Sequence, residues 1–169
     1  MAIHRIRLLG DPVLRARCEP INDPRSTAVR IIADDLRETL RDWQSRLGYG
    51  RGIAAPQIGA PVRIVHIEMD RPWTLVNPEI VESHGVSDIE EGCLSVPGIY
   101  ELVERAERVK VRAYDQNGNA FTLEAQGLLA VCIQHEMDHL KGKVFIESLS
   151  QLKQQRIRAR LAKQLRKSA

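Results

Sequence analysis

The sequence predicts an α+β fold: mainly antiparallel β-sheets packed around a central helix, with one helix towards the N-terminus and another at the C-terminus. Two observations carry this expectation. Helical spacing of apolar residues occurs in three places, and the strand-like segments cluster between the first two instead of alternating with helices, which disfavours a doubly wound parallel sheet. Two of those segments flank Asn117-Gly118, a dipeptide suited to a hairpin turn.

Taken in order, Ser26 or Thr27 caps a helix that runs to about Leu47. Its residues Ile32, Leu36, Leu40, Trp43 and Leu47 recur at spacings of four and three and share one face. Gly48 and Gly50 end it, and the loop Gly50-Arg51-Gly52 leads into Ile53-Ala54-Ala55-Pro56-Gln57. Val62 to Glu68 reads as a strand, and Trp73 to Val76 as another that Asn77-Pro78 breaks. Val103 to Tyr114 reads as one strand with an irregular start, in which Val109, Val111 and Ala113 alternate with Lys110 and Arg112. Phe121 to Glu124 is its partner across the hairpin. Gly127 to Leu140 is helical, a short strand follows, and a last helix carries Leu149, Leu152, Ile157, Leu161 and Leu165 along one stripe.

A chain of 169 residues suits one domain, here 1–169, with enough length to enclose a core. No apolar run is long enough to span a membrane. The segment Met1 to Arg7 lacks an apolar signal core, so the expected location is the cytoplasm; an organellar protein trimmed of its transit peptide is the alternative. Three cysteines, Cys18, Cys93 and Cys132, do not suit a disulfide framework. Residues 151–169 hold seven basic side chains and no acidic one, and subtracting seven from the net +3 leaves −4 for residues 1–150. Such a basic tail suits an anionic partner or, equally, a solvated helix face.

The chemical signal is His135-Glu136-Met137-Asp138-His139. On a helix, positions i and i+4 lie one turn apart on one face, so two imidazoles can share a metal ion while the glutamate between them reaches a water on it. The apolar run Leu128, Leu129, Val131, Cys132 and Ile133 places this helix in the core. A third ligand is needed, with a fourth position left open. No acidic residue follows Glu147, and Phe145 stands where one metallopeptidase pattern has a histidine. The third ligand is therefore expected upstream, at Cys93 within Glu91-Gly92-Cys93-Leu94-Ser95, an irregular segment between strands. Taken alone, Cys93 reads as a small buried hydrophobe. The competing Cys132 sits in the apolar run and is assigned to the core or a pocket wall, and Cys18 to structure. In the Gly50 to Gln57 segment, glycines permit close backbone approach to a ligand, and Gln57 offers an amide donor for an oxyanion.

Together, Gly50 to Gln57, Glu91 to Ser95 and Gln134 to His139 resemble the peptide deformylase motifs G-x-G-x-A-A-x-Q, E-G-C-L-S and Q-H-E-x-D-H, in that order. The resemblance covers almost the whole chain. It implies a metal-dependent hydrolase that removes the N-formyl group from the formyl-methionine of nascent peptides and releases formate. It implies Cys93, His135 and His139 as metal ligands, Glu136 as general acid/base, and Gln57 with the Leu94 N–H as oxyanion donors. Gly50, Arg51, Gly52, Glu91, Gly92 and Tyr100 are expected along the substrate, with the Arg51 and Gly92 backbone holding it as an added strand. Leu128, Val131, Cys132 and His135 are expected to wall the methionine pocket. One divalent ion is implied, Fe²⁺ as the native metal, with Zn²⁺, Ni²⁺ or Co²⁺ as substitutes. N-formylmethionyl peptides are the expected partners, and the basic C-terminal helix makes the ribosome a candidate; neither a membrane nor DNA is expected.

The sequence departs from the family at two site positions. Arg51 stands where an aliphatic residue is common, and either snorkels into solvent or draws acidic groups of the substrate. Tyr100 stands where many relatives carry arginine. The segment between Gln57 and Trp73 is also short. These departures leave a deformylase-like metallohydrolase with altered substrate preference, or a metallopeptidase, as rival readings.

Overall fold

The computed structural model describes residues 2–168; Met1 and Ala169, the ends of the expected domain and of the basic tail, lie outside the described residues. Five strands form one antiparallel sheet in the order β1 (Gly52–Ala54), β2 (Ile64–Glu68), β3 (Pro72–His84), β6 (Arg108–Tyr114), β7 (Ala120–Gln126). The strands β4 (Ser87–Cys93) and β5 (Val96–Arg105) pair separately as a two-stranded hairpin. Helices α1 (Thr27–Leu47), α2 (Gly127–Leu140) and α3 (Gln151–Ser168) complete the fold.

Helix α2 lies between the two sheets. Ala130, Ile133, Met137 and Leu140 share an apolar cluster with Val65, Ile67, Leu75, Val111 and Leu123 of the larger sheet. Glu91 of the hairpin meets His135 on the same helix. Helix α1 starts at Ser26, whose hydroxyl accepts from the Val29 N–H, and stops at Gly48 in the left-handed conformation with φ 76°. Its Leu36 and Leu40 are buried with Ile53, Ile58, Ile64 and Leu94, which anchors β1 and the hairpin tip. In α3, only Ile157 and Leu161 are fully buried, against Val96, Ile99 and Val103 of β5 and Phe145 and Ile146.

Several sequence expectations need correction. Strand β3 does not end at Asn77-Pro78 but continues to His84 through a bulge between Val76 and Glu79. Asn77 takes φ 50°, and its side-chain amide both accepts from and donates to the Ile21 backbone, so the distortion is held in place rather than ending the strand. The segment Val103 to Tyr114 is two strands in different sheets, separated at Ala106-Glu107. Gln134 fixes that crossing: its amide accepts from the Ala106 N–H and donates to the Ala106 carbonyl. Glu91 to Ser95 is largely regular; β4 reaches Cys93 through a register shift at Gly92 and turns back at Leu94-Ser95. The short strand expected after α2 is a 3-10 turn, Phe145–Ser148. Leu47, Leu152 and Leu165 are exposed, so both apolar stripes are shorter than their periodicity suggests. The Asn117-Gly118 hairpin is present, closed by Asp115, whose carboxylate accepts from the Asn117 and Asn119 N–H groups.

Candidate metal centre

Helix periodicity puts His135 and His139 on one face of α2, and the hairpin end brings Cys93 to them. The ligand atoms of these three residues all lie within 4.8 Å of one another. Cys93 Sγ is 3.4 Å from His139 Nε2. In a tetrahedral site, bonds of about 2.3 Å to sulfur and about 2.0–2.1 Å to nitrogen put those two atoms roughly 3.6 Å apart. The donor set therefore fits a divalent transition-metal ion in both chemistry and spacing.

A carboxylate orients one of the two imidazoles. His135 Nδ1 donates to Glu91 Oε1 at 2.8 Å, which turns Nε2 towards Cys93 and His139. Glu91 is itself clamped: Arg105 donates to both of its oxygens, at 2.7 and 2.9 Å, and to Asp138 at 2.6 Å. Burial works to raise the Glu91 pKa, but bonds from Arg105 and His135 outweigh it and hold the carboxyl below its ordinary value. For His139, burial and the neighbouring His135 push the pKa well down and keep the imidazole in its neutral, ligating form.

Glu136 lies beside the ligands, with Oε1 3.9 Å from His135 Nε2. Its other oxygen, Oε2, is buried with no hydrogen-bond partner among the described residues, as expected of a carboxylate whose partner is a substrate or a reacting water. Burial raises its pKa to about 7, against the pull of His135, so the group can accept a proton and return it near neutrality. Gly52 is needed beside it for space. A Cβ there would sit 2.9 Å from Glu136 Cγ and 3.0 Å from Cys132 Sγ. Gln57 is buried rather than exposed: its Oε1 accepts from the Ala54 N–H at 2.8 Å and its Nε2 donates to Ser95 Oγ at 3.0 Å. Nε2 also lies 3.7 Å from Cys93 Sγ, so the amide faces the ligand cluster.

Cys93, His135 and Glu136 border a cavity of about 330 Å³. Leu128, Val131, Cys132 and His135 form one wall, and Cys93, Leu94 and Glu136 lie along it. Gly50, Arg51, Gly52, Glu91, Gly92 and Tyr100 also line it, and of these Arg51, Gly92 and Tyr100 are exposed. All of the expected site residues meet here except Gln57 and His139, which are buried behind the surface. Two expectations are refined. The Glu91 carboxylate is engaged by Arg105 and His135 and is not free for substrate. The Arg51 carbonyl accepts from the Glu68 N–H at 2.7 Å, which leaves the Arg51 N–H as the group an added strand can meet.

Sequence reasoning missed Arg105, Ser95 and the use of Asp138. Asp138 and Ser95 sit inside the motifs, so their position was a signal. Arg105 had none, because nothing local announces a partner 33 residues away.

A family model described as polypeptide deformylase matches residues 3–155. A peptide deformylase of Alkalilimnicola ehrlichii is 45% identical over 98% of this chain and 93% of its own length. The crystal structure of a peptide deformylase from Legionella pneumophila superposes with a TM-score of 0.90 at 42% identity, covering 99% of this chain and 98% of that one. That of the Ehrlichia chaffeensis enzyme in complex with actinonin gives 0.90 at 33% identity over 97% and 98%. With the family model matching residues 3–155 and relatives matched through nearly its full length, the chain belongs to the peptide deformylase family.

Proposed function

We propose that the protein, acting as one catalytic domain, hydrolyses the formamide of N-formylmethionyl peptides to formate and a free N-terminus. The observation that carries this reading is the buried Glu136, with one unpartnered oxygen, beside Cys93, His135 and His139 at a cavity large enough for a single side chain. Fe²⁺ is the proposed native ion, with Zn²⁺, Ni²⁺ or Co²⁺ as substitutes; the mixed thiolate and imidazole set suits all four. When bound, such an ion lowers the pKa of water and polarises a carbonyl oxygen.

The chain's own residues do the rest. Leu128, Val131 and Cys132 receive the apolar side chain, and the exposed Arg51 and Gly92 align the peptide backbone. Glu136 takes the proton of the attacking water and delivers it to the departing amine nitrogen. The Gln57 Nε2 and the Leu94 N–H donate to the oxygen that gains negative charge at the formyl carbon; one such donor is typically worth about 2.7–4 kcal/mol. Bonds from Ala54 and to Ser95 fix the Gln57 amide beforehand, so it pays little reorganisation during the reaction.

No described helix is long and apolar enough to cross a membrane. We propose a cytoplasmic location, with the ribosome as a partner of α3. Six basic residues of that helix, Lys153, Arg156, Arg160, Lys163, Arg166 and Lys167, are exposed, which suits phosphate contacts.

The test is formate release from formyl-Met-Ala-Ser by protein purified without oxygen and loaded with Fe²⁺ or Ni²⁺. Release by the wild type, inhibition by actinonin and loss in Glu136→Ala are expected. No release with metal demonstrably bound would end this reading.

A further inference from the structure

The inference concerns substrate preference, and it rests on the activity proposed above. Among the residues lining the cavity, Arg51 is the one arginine or lysine. It is exposed and has no ion-pair partner among the described residues. The lining acids are otherwise accounted for: Glu91 is paired with Arg105, and Glu136 is buried beside His135. Only Glu90 remains, exposed on β4.

The surrounding backbone gives Arg51 this freedom. The Gly50 and Gly52 α-carbons on either side press against protein: Gly50 faces Trp43 and Leu94, and Gly52 faces Glu136 and Cys132. Arg51 is thus the one residue of the three with a side chain, and it carries a guanidinium. Burial and Glu136 push the Cys132 thiol pKa well up, and Arg51 opposes them. Arg51, Gly92 and Tyr100 are exposed lining residues, so a peptide with its first side chain against Leu128, Val131 and Cys132 can meet them with its next residues.

We propose that Arg51 is a specificity residue that favours formylated peptides with a carboxylate side chain at the second or third residue. A guanidinium can take a carboxylate through two parallel N–H bonds. Because the pair is exposed, the preference is modest, about two- to fivefold.

The test measures kcat/KM for formyl-Met-Ala-Glu, formyl-Met-Ala-Gln and formyl-Met-Ala-Lys, each as the C-terminal amide so that no terminal carboxylate competes. Wild type, Arg51→Lys, Arg51→Gln and Arg51→Glu are compared, each by the ratio between its own substrates, so a general loss of activity does not enter. A Glu-to-Lys ratio above about two is expected in the wild type, carried mainly by KM and shrinking in high salt. Arg51→Lys should keep it in part, Arg51→Gln should bring it near one, and Arg51→Glu should invert it. A wild-type ratio of one or less, or a ratio unchanged in Arg51→Gln, would overturn the proposal. The neutral Gln peptide separates the two failures. If it is hydrolysed while the ratio is flat, Arg51 alone has been misread; if no peptide is hydrolysed, the activity and the preference fall together.

Discussion

Arg105 joins the hairpin to helix α2, and replacing it with alanine should show how much of the candidate site depends on that joint. The guanidinium is 8% exposed and the Glu91 carboxylate 4%, so their pairing takes place away from water. Removing one partner from a buried pair leaves the other charge uncompensated and costs about 3–5 kcal/mol. Asp138, at 24% exposure, can turn to solvent and adds less. For a chain of this size each kcal/mol lowers Tm by roughly 2–4 °C, so Arg105→Ala should melt about 6–20 °C below the wild type. Arg105→Lys keeps a charge but cannot hold both Glu91 oxygens, and should fall between them. Metal affinity should drop about 10–100-fold as well, because Glu91 would no longer hold the His135 ring in place. Calorimetric melts of metal-free and metal-loaded protein, with a competitive metal titration, measure both. A Tm change below about 3 °C with unaltered affinity would show that the network neither stabilises the joint nor orients the imidazole, and the reasoning would be wrong.

Other perturbations have equally definite outcomes. Gly52→Ala would push Glu136 and Cys132 aside, and since a misplacement of ~1 Å can cost ~100-fold, kcat should fall on that order, with overpacking costing a further ~1–3 kcal/mol of stability; a near-normal kcat would contradict the close approach. Gly142→Ala puts a methyl group against the Arg15 carbonyl at a residue with φ 76°, and should cost about 2–4 kcal/mol in a denaturant titration, with a loss under 1 kcal/mol counting against it. Burial lowers the His66 pKa, although Glu68 partly opposes it, so protonation is disfavoured in the folded state. The stability it contributes is complete above the unfolded value of about 6.5 and is lost as pH falls from there through the lower folded value. His66→Gln should lack that part of the acid sensitivity; parallel losses in both proteins between pH 7 and 5 would refute the assignment.

What could be read from the sequence followed from how local each signal was. The limits of α2 and the α1 N-terminus emerged correctly because periodicity, a cap and glycine act within a few residues. That His135, Glu136 and His139 lie together on one helix was legible for the same reason, since their spacing is set by one helical turn. The approach of Cys93 to His139 could be expected only by elimination and resemblance, because that contact joins β4 to α2. The expectations that failed were those decided at a distance. Asn77-Pro78 looks like a strand end until Ile21 is placed beside it. Val103 to Tyr114 looks continuous until Gln134 is seen holding Ala106 at the passage from one sheet to the other.

The way α3 is seated changes how its proposed role must be tested. Ile157 and Leu161 close the apolar cluster beneath β5, and β5 is the strand that backs the Cys93-bearing β4. A truncated protein would therefore lose a structural buttress along with its basic surface, and a failure to sediment with ribosomes would say nothing about which loss mattered. Neutralising Arg156, Arg160, Lys163 and Arg166, all exposed, leaves the buttress intact and changes only the charge. Undiminished sedimentation of that full-length protein at low salt would show that these four charges carry no docking, and would leave the helix as support for the strand pair that bears Cys93.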